Sequence, residues 1–312
     1  MPAVIASPSK SRLATFTRYA WAVLAWNLFV VLWGAYVRAS GSGAGCGNHW
    51  PLCNGDVVPR APRLETIIEF THRMTSAVSL LATGWLAVWS VLRFPRDHRV
   101  RRYALLSVVF LFAEALLGAG LVLFEFVASN ASVGRAFYLS LHLVNTQFLL
   151  AALVLTAWYS RESASAIVRA SPRVMAALPV AVVVSVTGAI AALGDTLYPA
   201  ASLAEGMRQD LSTASSFLLR LRVLHPVLAV LAAGYFAYAA MSVLRSKPGP
   251  LASQIALAVI VLAVAQLGAG TINITLLAPV WMQLVHLLLA DVLWLSLVLL
   301  AVEAPVYSSS SA

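Results

Sequence analysis

Charge is what this sequence has least of. Only 12 acidic and 21 basic side chains stand among 312 residues, 11% in all, against 61% hydrophobic ones. A soluble domain surrounds its core with about a quarter charged residues, so a water-soluble globule with a polar shell is excluded. The mean hydropathy of +0.85 places the chain in a bilayer instead. Cysteine is nearly missing as well. Cys46 and Cys53 are the only two, and their spacing is not the Cys-x-x-Cys of dithiol oxidoreductases. The N-terminal segment is short and poor in arginine, which argues against a mitochondrial presequence and makes a prokaryotic inner membrane the simpler location.

Long apolar runs are abundant. A helix crosses the hydrocarbon with about 20 apolar residues, and such runs occur at 19–39, 65–92, 101–125, 136–160, 173–193, 217–244, 251–275 and 281–303. The expectation is an all-α membrane protein of eight transmembrane helices with both termini on one side. Short loops on the cytoplasmic side collect Lys and Arg. If the N-terminus is cytoplasmic, that side holds Lys10, Arg12, Arg18, the run Arg93 to Arg102, Arg161, Arg169, Arg173, Arg245 and Lys247, so both termini are predicted to be cytoplasmic. The first run is longer than a signal-peptide core and is read as a retained anchor. The net charge of +9 and pI near 10.1 do not indicate nucleic acid, because the basic residues are divided among several loops. The partner they imply is membrane lipid.

The two halves resemble each other. Gly34-Ala35 recurs as Gly188-Ala189, Ser90-Val91-Leu92-Arg93 as Ser242-Val243-Leu244-Arg245, and Leu117-Gly118-Ala119-Gly120 as Leu267-Gly268-Ala269-Gly270, all at offsets near 150. Four spans per half is an even number, so both halves enter the membrane in the same sense. This predicts two tandem four-helix bundles related by a pseudo-two-fold along the membrane normal. The boundaries are a cytoplasmic segment 1–18, an N-terminal bundle 19–160, a cytoplasmic linker 161–172, a C-terminal bundle 173–303 and a cytoplasmic tail 304–312. The glycines either let helices approach closely or clear space for a flat ligand.

Of six histidines, His72, His142, His225 and His286 fall one each in spans two, four, six and eight. They lie about 8 to 12 Å below the outer ends of those spans at 1.5 Å per residue. A lone intramembrane histidine is ordinarily a hydrogen-bonded packing residue, whereas four at one level, two per repeat, suggest metal ligation. Structural zinc wants four Cys, His or carboxylate ligands, and di-iron sites want further glutamates. Each bundle offers only a histidine pair, which suits the axial positions of a haem iron.

The halves differ one turn from those histidines. Glu69 precedes His72 by three residues, where Arg222 precedes His225. A carboxylate there could move protons, and an arginine could pair with a haem propionate. This predicts a reactive N-terminal site and a holding C-terminal one, against the plainer readings of a solvated acid and a helix-end anchor. Glu114 and Asp291 are candidates for a proton path or an interhelix contact, His98 is expected to be solvated, and His49 is read as a loop residue. Cys46 and Cys53 share the first outer loop, where a disulfide can form; a structural staple and a redox pair both remain open.

Taken together, the sequence resembles the haem A synthase family over essentially its whole length. The resemblance rests on the paired cysteines with Trp50-Pro51-Leu52-Cys53, on Glu69-Phe70-Thr71-His72-Arg73 and on His142. In the second half it rests on Thr187-Gly188-Ala189, Gly194-Asp195-Thr196, Leu224-His225-Pro226 and Gln283-Leu284-Val285-His286. It implies oxidation of the methyl at porphyrin position 8 of haem O to a formyl group through hydroxylation. By the same resemblance, His225 and His286 would ligate a haem b cofactor, His72 and His142 would bind the substrate haem, and Glu69 would act in catalysis. Haem O synthase is the implied supplier of haem O. Asn48-His49 stands where the family commonly has Pro-Asp, so no acidic loop residue is expected to act. With no flavin, nicotinamide or iron–sulfur motif, electrons must come from an unknown donor, a partner or a quinol. A dihaem electron-transfer cytochrome and a haem transporter are the alternatives, and homo-oligomerisation stays open.

Overall fold

The computed structural model describes residues 10–161, 171–212 and 215–304. Most of the 161–172 linker, the first nine residues of the 1–18 segment and nearly all of the 304–312 tail lie outside the described residues. No strand occurs among the described residues beyond an isolated bridge between Cys53 and Asp56.

Eight helical stretches are long and apolar enough to cross a membrane, so the chain is a multi-pass membrane protein. They are α1 (Lys10–Ala39), α2 (Leu64–Arg93), α3 (Arg99–Leu123), α4 (Val133–Tyr159), α5 (Pro172–Leu197), a pair α7 (Phe217–Arg222) and α8 (Leu224–Arg245), α9 (Pro250–Thr275) and α10 (Val280–Glu303). A short α6 (Leu203–Leu211) lies in the loop between α5 and α7. The helix ends follow local chemistry. Pro95 bars α2 from continuing, Ser132 caps α4 by accepting from Arg135 N–H, and Pro172 and Pro250 occupy first-turn positions where no N–H is needed.

The sixth span departs from the uninterrupted helix expected over 217–244. It breaks at Val223, because Pro226 has no N–H to offer the Arg222 carbonyl and its ring crowds that group. His225 is therefore the second residue of the new helix, two residues after the break.

In the N-terminal half α1 packs on α2, α2 on α3, α3 on α4 and α4 back on α1. In the C-terminal half α5 packs on α8, α8 on α9, α9 on α10 and α10 back on α5. The halves meet through α4, α5, α1 and α10, and α4 and α10 are the most buried spans. Leu149, Leu150 and Leu153 of α4 and Leu297, Leu300 and Ala301 of α10 join one core cluster there. With no water to satisfy polar groups in lipid, the few polar side chains at this seam are bonded inward. Gln147 donates to Ser185 Oγ at 2.8 Å, and Trp294 donates to the Gln147 carbonyl at 2.8 Å. Asp291, three residues before Trp294, is 3% exposed with one oxygen unpartnered.

Candidate functional site

The four intramembrane histidines sit on α2, α4, α8 and α10, and each is half-buried within its half of the molecule. A glycine on a neighbouring helix faces each imidazole. A Cβ at Gly34 would come within 2.9 Å of His72 Cε1, at Gly188 within 2.9 Å of His225 Cε1, and at Gly270 within 3.1 Å of His286 Cε1. At Gly118 it would stand 3.7 Å from His142 Nε2. The repeated glycine motifs thus make room for histidine rings. The correspondence is shifted in one place, because Gly120, which the repeat aligns with Gly270, makes room for Tyr138.

Each half holds its rings differently. His142 Nδ1 is 2.8 Å from Glu114 Oε1, so an α3 carboxylate backs an α4 imidazole. Glu114 also accepts from Asn145 Nδ2 at 2.5 Å and from Thr146 Oγ1, which leaves it well supplied with donors. Glu114 is therefore an interhelix group. In the second half Thr187 Oγ1 stands 3.1 Å from His225 Nδ1 and donates its own proton to the Val184 carbonyl, so Nδ1 of His225 carries the donor hydrogen. Gln266 Nε2 approaches His286 Nε2 at 3.4 Å, while Nδ1 of both His72 and His286 is buried without a partner.

Ring spacing tests whether such a pair fits a haem. Two metal–imidazole bonds of about 2 Å, plus about 1 Å from each nitrogen to its ring centre, put axial rings about 6 Å apart. The ring centres of His225 and His286 are 6.4 Å apart with their planes at 82°. The spacing fits.

Glu69 and Arg222 stand where the sequence put them, one turn from a histidine, but both are already engaged. Glu69 is 4% exposed, so it is not a solvated helix-end acid. Its Oε2 accepts from Cys46 N–H at 2.9 Å and its Oε1 from Arg73 at 2.5 Å. Arg73 also donates to the His49 and Leu52 carbonyls at 2.8 and 2.6 Å. Cys46 and Cys53 are joined in a disulfide, and Gly47, at φ +62°, takes the left-handed turn that the small ring requires. The loop is thereby fastened onto α2 one turn from His72. Arg222 donates to Asp210 Oδ1 at 2.6 and 2.9 Å and to Asp195 Oδ1 at 2.8 Å, so it ties α6 and α5 to α7, about one turn before His225. His98, expected to be solvated, caps α3 by accepting from Val100 N–H at 3.2 Å.

With this arrangement in view, comparison with known proteins is decisive for the family. Residues 17–298 match the COX15-CtaA family, described as cytochrome oxidase assembly protein. The chain belongs to that family. Among relatives, a protoheme IX farnesyltransferase of Thermus thermophilus is 48% identical over 302 residues, covering 96% of this chain and 49% of that protein. A haem A synthase of Bacillus licheniformis is 41% identical over 138 residues, 44% of this chain and 45% of that protein. One of Shouchella clausii is 42% identical over 97 residues, 31% and 32% respectively. The chain spans about half the length, or less, of these curated relatives. Family membership agrees with the resemblance drawn from the cysteine, Glu69 and histidine motifs.

Sequence reasoning missed Arg38, near the end of α1. Its guanidinium crosses to the other half and donates to Ala192 O, Thr196 Oγ1 and Gln283 Oε1 at 2.8, 2.9 and 3.0 Å. An arginine at the end of an apolar run signals an interface anchor, and nothing local betrays a partner more than 150 residues away.

Proposed function

We propose that the chain is a haem A synthase, an oxidoreductase that converts the position-8 methyl of haem O to a formyl group through hydroxylation. One observation carries the reading. Four half-buried histidines, two per half, each face a glycine on a neighbouring helix, and the C-terminal rings stand at axial-ligand spacing. Membership of a cytochrome oxidase assembly family and the haem A synthase relatives support it.

In this reading His225 and His286 hold haem b and His72 and His142 hold haem O. The bound haems supply the redox iron. Glu69 moves a proton at its carboxylate beside the substrate, held in place by Arg73 and the Cys46 amide. Arg222, carrying two aspartates, keeps the outer rim of the cofactor pocket in place. The α1–α4 ring and the α5–α10 ring are two tandem bundles, 19–160 and 173–303, related by a pseudo-two-fold along the membrane normal, and the paired helix contacts support this. The arginine-rich short loops support cytoplasmic termini in a prokaryotic inner membrane. Electrons enter from an external partner or quinol. Haem O synthase delivers the substrate, a step supported by the farnesyltransferase relatives; we assign their farnesyl transfer to the half that this chain does not span.

Expression in cells that make haem O but lack their own synthase tests the proposal, with extracted haems separated by chromatography. Haem A should accumulate with the native chain. Glu69→Gln should lower it at least about tenfold, in the range of a lost acid–base group, with the bis-histidine spectrum intact. Haem O recovered unchanged with the native chain would leave an electron-transfer cytochrome, and loss of the spectrum in Glu69→Gln would contradict the division of roles.

A further inference from the structure

Next to His72, α1 carries a row of four aromatic rings that the second half lacks. Trp26, Phe29, Trp33 and Tyr36 recur at helical spacing on one side of the helix. Their ring centres follow one another at 5.4, 6.3 and 5.2 Å, and the last two contacts are stacked. The ladder is about 15 Å long at 1.5 Å per residue. It is fastened to α2 at residues on either side of His72 in the chain: Trp33 Nε1 donates to Thr71 Oγ1 and Trp26 Nε1 to the Thr75 carbonyl, both at 3.3 Å. Its outer part adjoins the histidine, because Trp33 precedes Gly34, where an added Cβ would stand 2.9 Å from His72 Cε1. Phe29, between the two indoles, is 46% exposed, so the middle of the ladder is open to an apolar occupant.

An interfacial belt does not account for these rings. Tryptophan and tyrosine gather at the membrane surface, where their polar edges meet water, but Trp26 lies about 20 Å along α1 from its outer end at Ala39 and about 24 Å from Lys10. Its N–H is spent on α2 instead. The repeat supplies the comparison. At the offset that carries Gly34 to Gly188, the four positions are Val180, Val183, Thr187 and Ile190. None is aromatic. Two pockets with the same histidine and glycine thus differ along this helix, and their proposed occupants differ in a matching way, since haem O carries a farnesyl chain and haem b none. Burial within lipid brings no hydrophobic gain, so an unsaturated chain is selected by dispersion contact with flat ring faces rather than by apolarity alone.

We propose that Trp26, Phe29, Trp33 and Tyr36 bind the farnesyl tail of the haem held at His72, and so make the N-terminal pocket selective for a prenylated porphyrin. The proposal rests on the haem O reading above. Its test titrates ferric haem O and ferric protohaem into the full chain in lipid nanodiscs. His286→Ala silences the second pocket, and the low-spin bis-imidazole spectrum is the readout. Haem O should bind about tenfold tighter than protohaem. Trp26→Leu, Phe29→Leu and Trp33→Leu should each narrow that gap by weakening haem O alone, the unchanged protohaem affinity serving as the check on folding. Phe112→Leu, which removes an exposed ring from α3, should leave the gap as it is. A gap unchanged in all three ladder variants assigns the tail to bulk lipid and overturns the proposal, as does equal affinity for the two porphyrins with the ladder intact. Variants that weaken both porphyrins alike make the rings a support for His72 and overturn it too. Failure of both porphyrins to give the spectrum overturns the haem reading along with it.

Discussion

At the scale of single residues, the site is defined as much by what is absent beside each imidazole as by the imidazole. Gly34 and Gly188 are the clearest cases, because a methyl on either would press to 2.9 Å on a histidine ring. Gly34→Ala should displace His72 and Gly188→Ala His225, each at an overpacking cost of about 1–3 kcal/mol, and each should halve the haem bound per chain by pyridine haemochrome assay. Gly234→Ala, with nothing within 4 Å of its added carbon, is the matched control. Full haem content in both ring-facing variants would remove the glycines from the site. The histidines were legible in the sequence because an imidazole in lipid is rare and four at one depth are rarer. Glu114 was legible only as a polar residue, since its partner His142 lies on another helix, and contacts across helices leave no local signal.

The long helices could be read to within four residues at each end, because lipid demands about 20 apolar residues per crossing. The exception is α1, which begins at Lys10, nine residues before its expected start, since polar residues can extend a helix beyond the apolar run. The shorter devices could not. Nine-residue α6 is too short and too polar for a hydropathy signal, yet its Asp210 holds Arg222. The break at Val223 is signalled by Pro226, interior to the 217–244 run, and goes unread where hydropathy alone sets the limits of that span. His98 shows a small device with a measurable consequence. As the cap of α3 its Nδ1 must accept a hydrogen bond, and burial holds its pKa below the ordinary imidazole value. The folded chain thus prefers neutral His98, and this contribution is complete above pH about 6.5 and lost as pH falls through the depressed pKa. His98→Asn keeps an acceptor that does not titrate. Between about pH 7 and 5 it should lose less thermal stability than the native chain, by up to the about 1 kcal/mol of one cap. Parallel losses in nanodisc melting curves would show that the cap is not the source.

For the whole molecule, the repeat is most informative where it fails. In both halves four helices contact one another in turn and two histidines each face a glycine on a neighbouring helix, but the side-chain support has diverged. The first half fastens a disulfide loop to Glu69 and Arg73, and the second fastens a short helix to Arg222. The exchange of Glu69 for Arg222 is legible in the sequence, but their partners come from the 40–63 loop and from α6, which share no sequence, so only the three-dimensional structure joins them.

Behind His142 stands a carboxylate, and behind His225 only a hydroxyl. An anion drawing on the far ring proton makes an imidazole a stronger electron donor, which favours ferric iron. On the proposed haem reading, the two centres would therefore differ in midpoint potential, the C-terminal one lying higher. Glu114→Gln should raise the lower of two midpoints in a spectroelectrochemical titration and leave the other in place; a single unchanged wave would mean that the chain sets no such gradient.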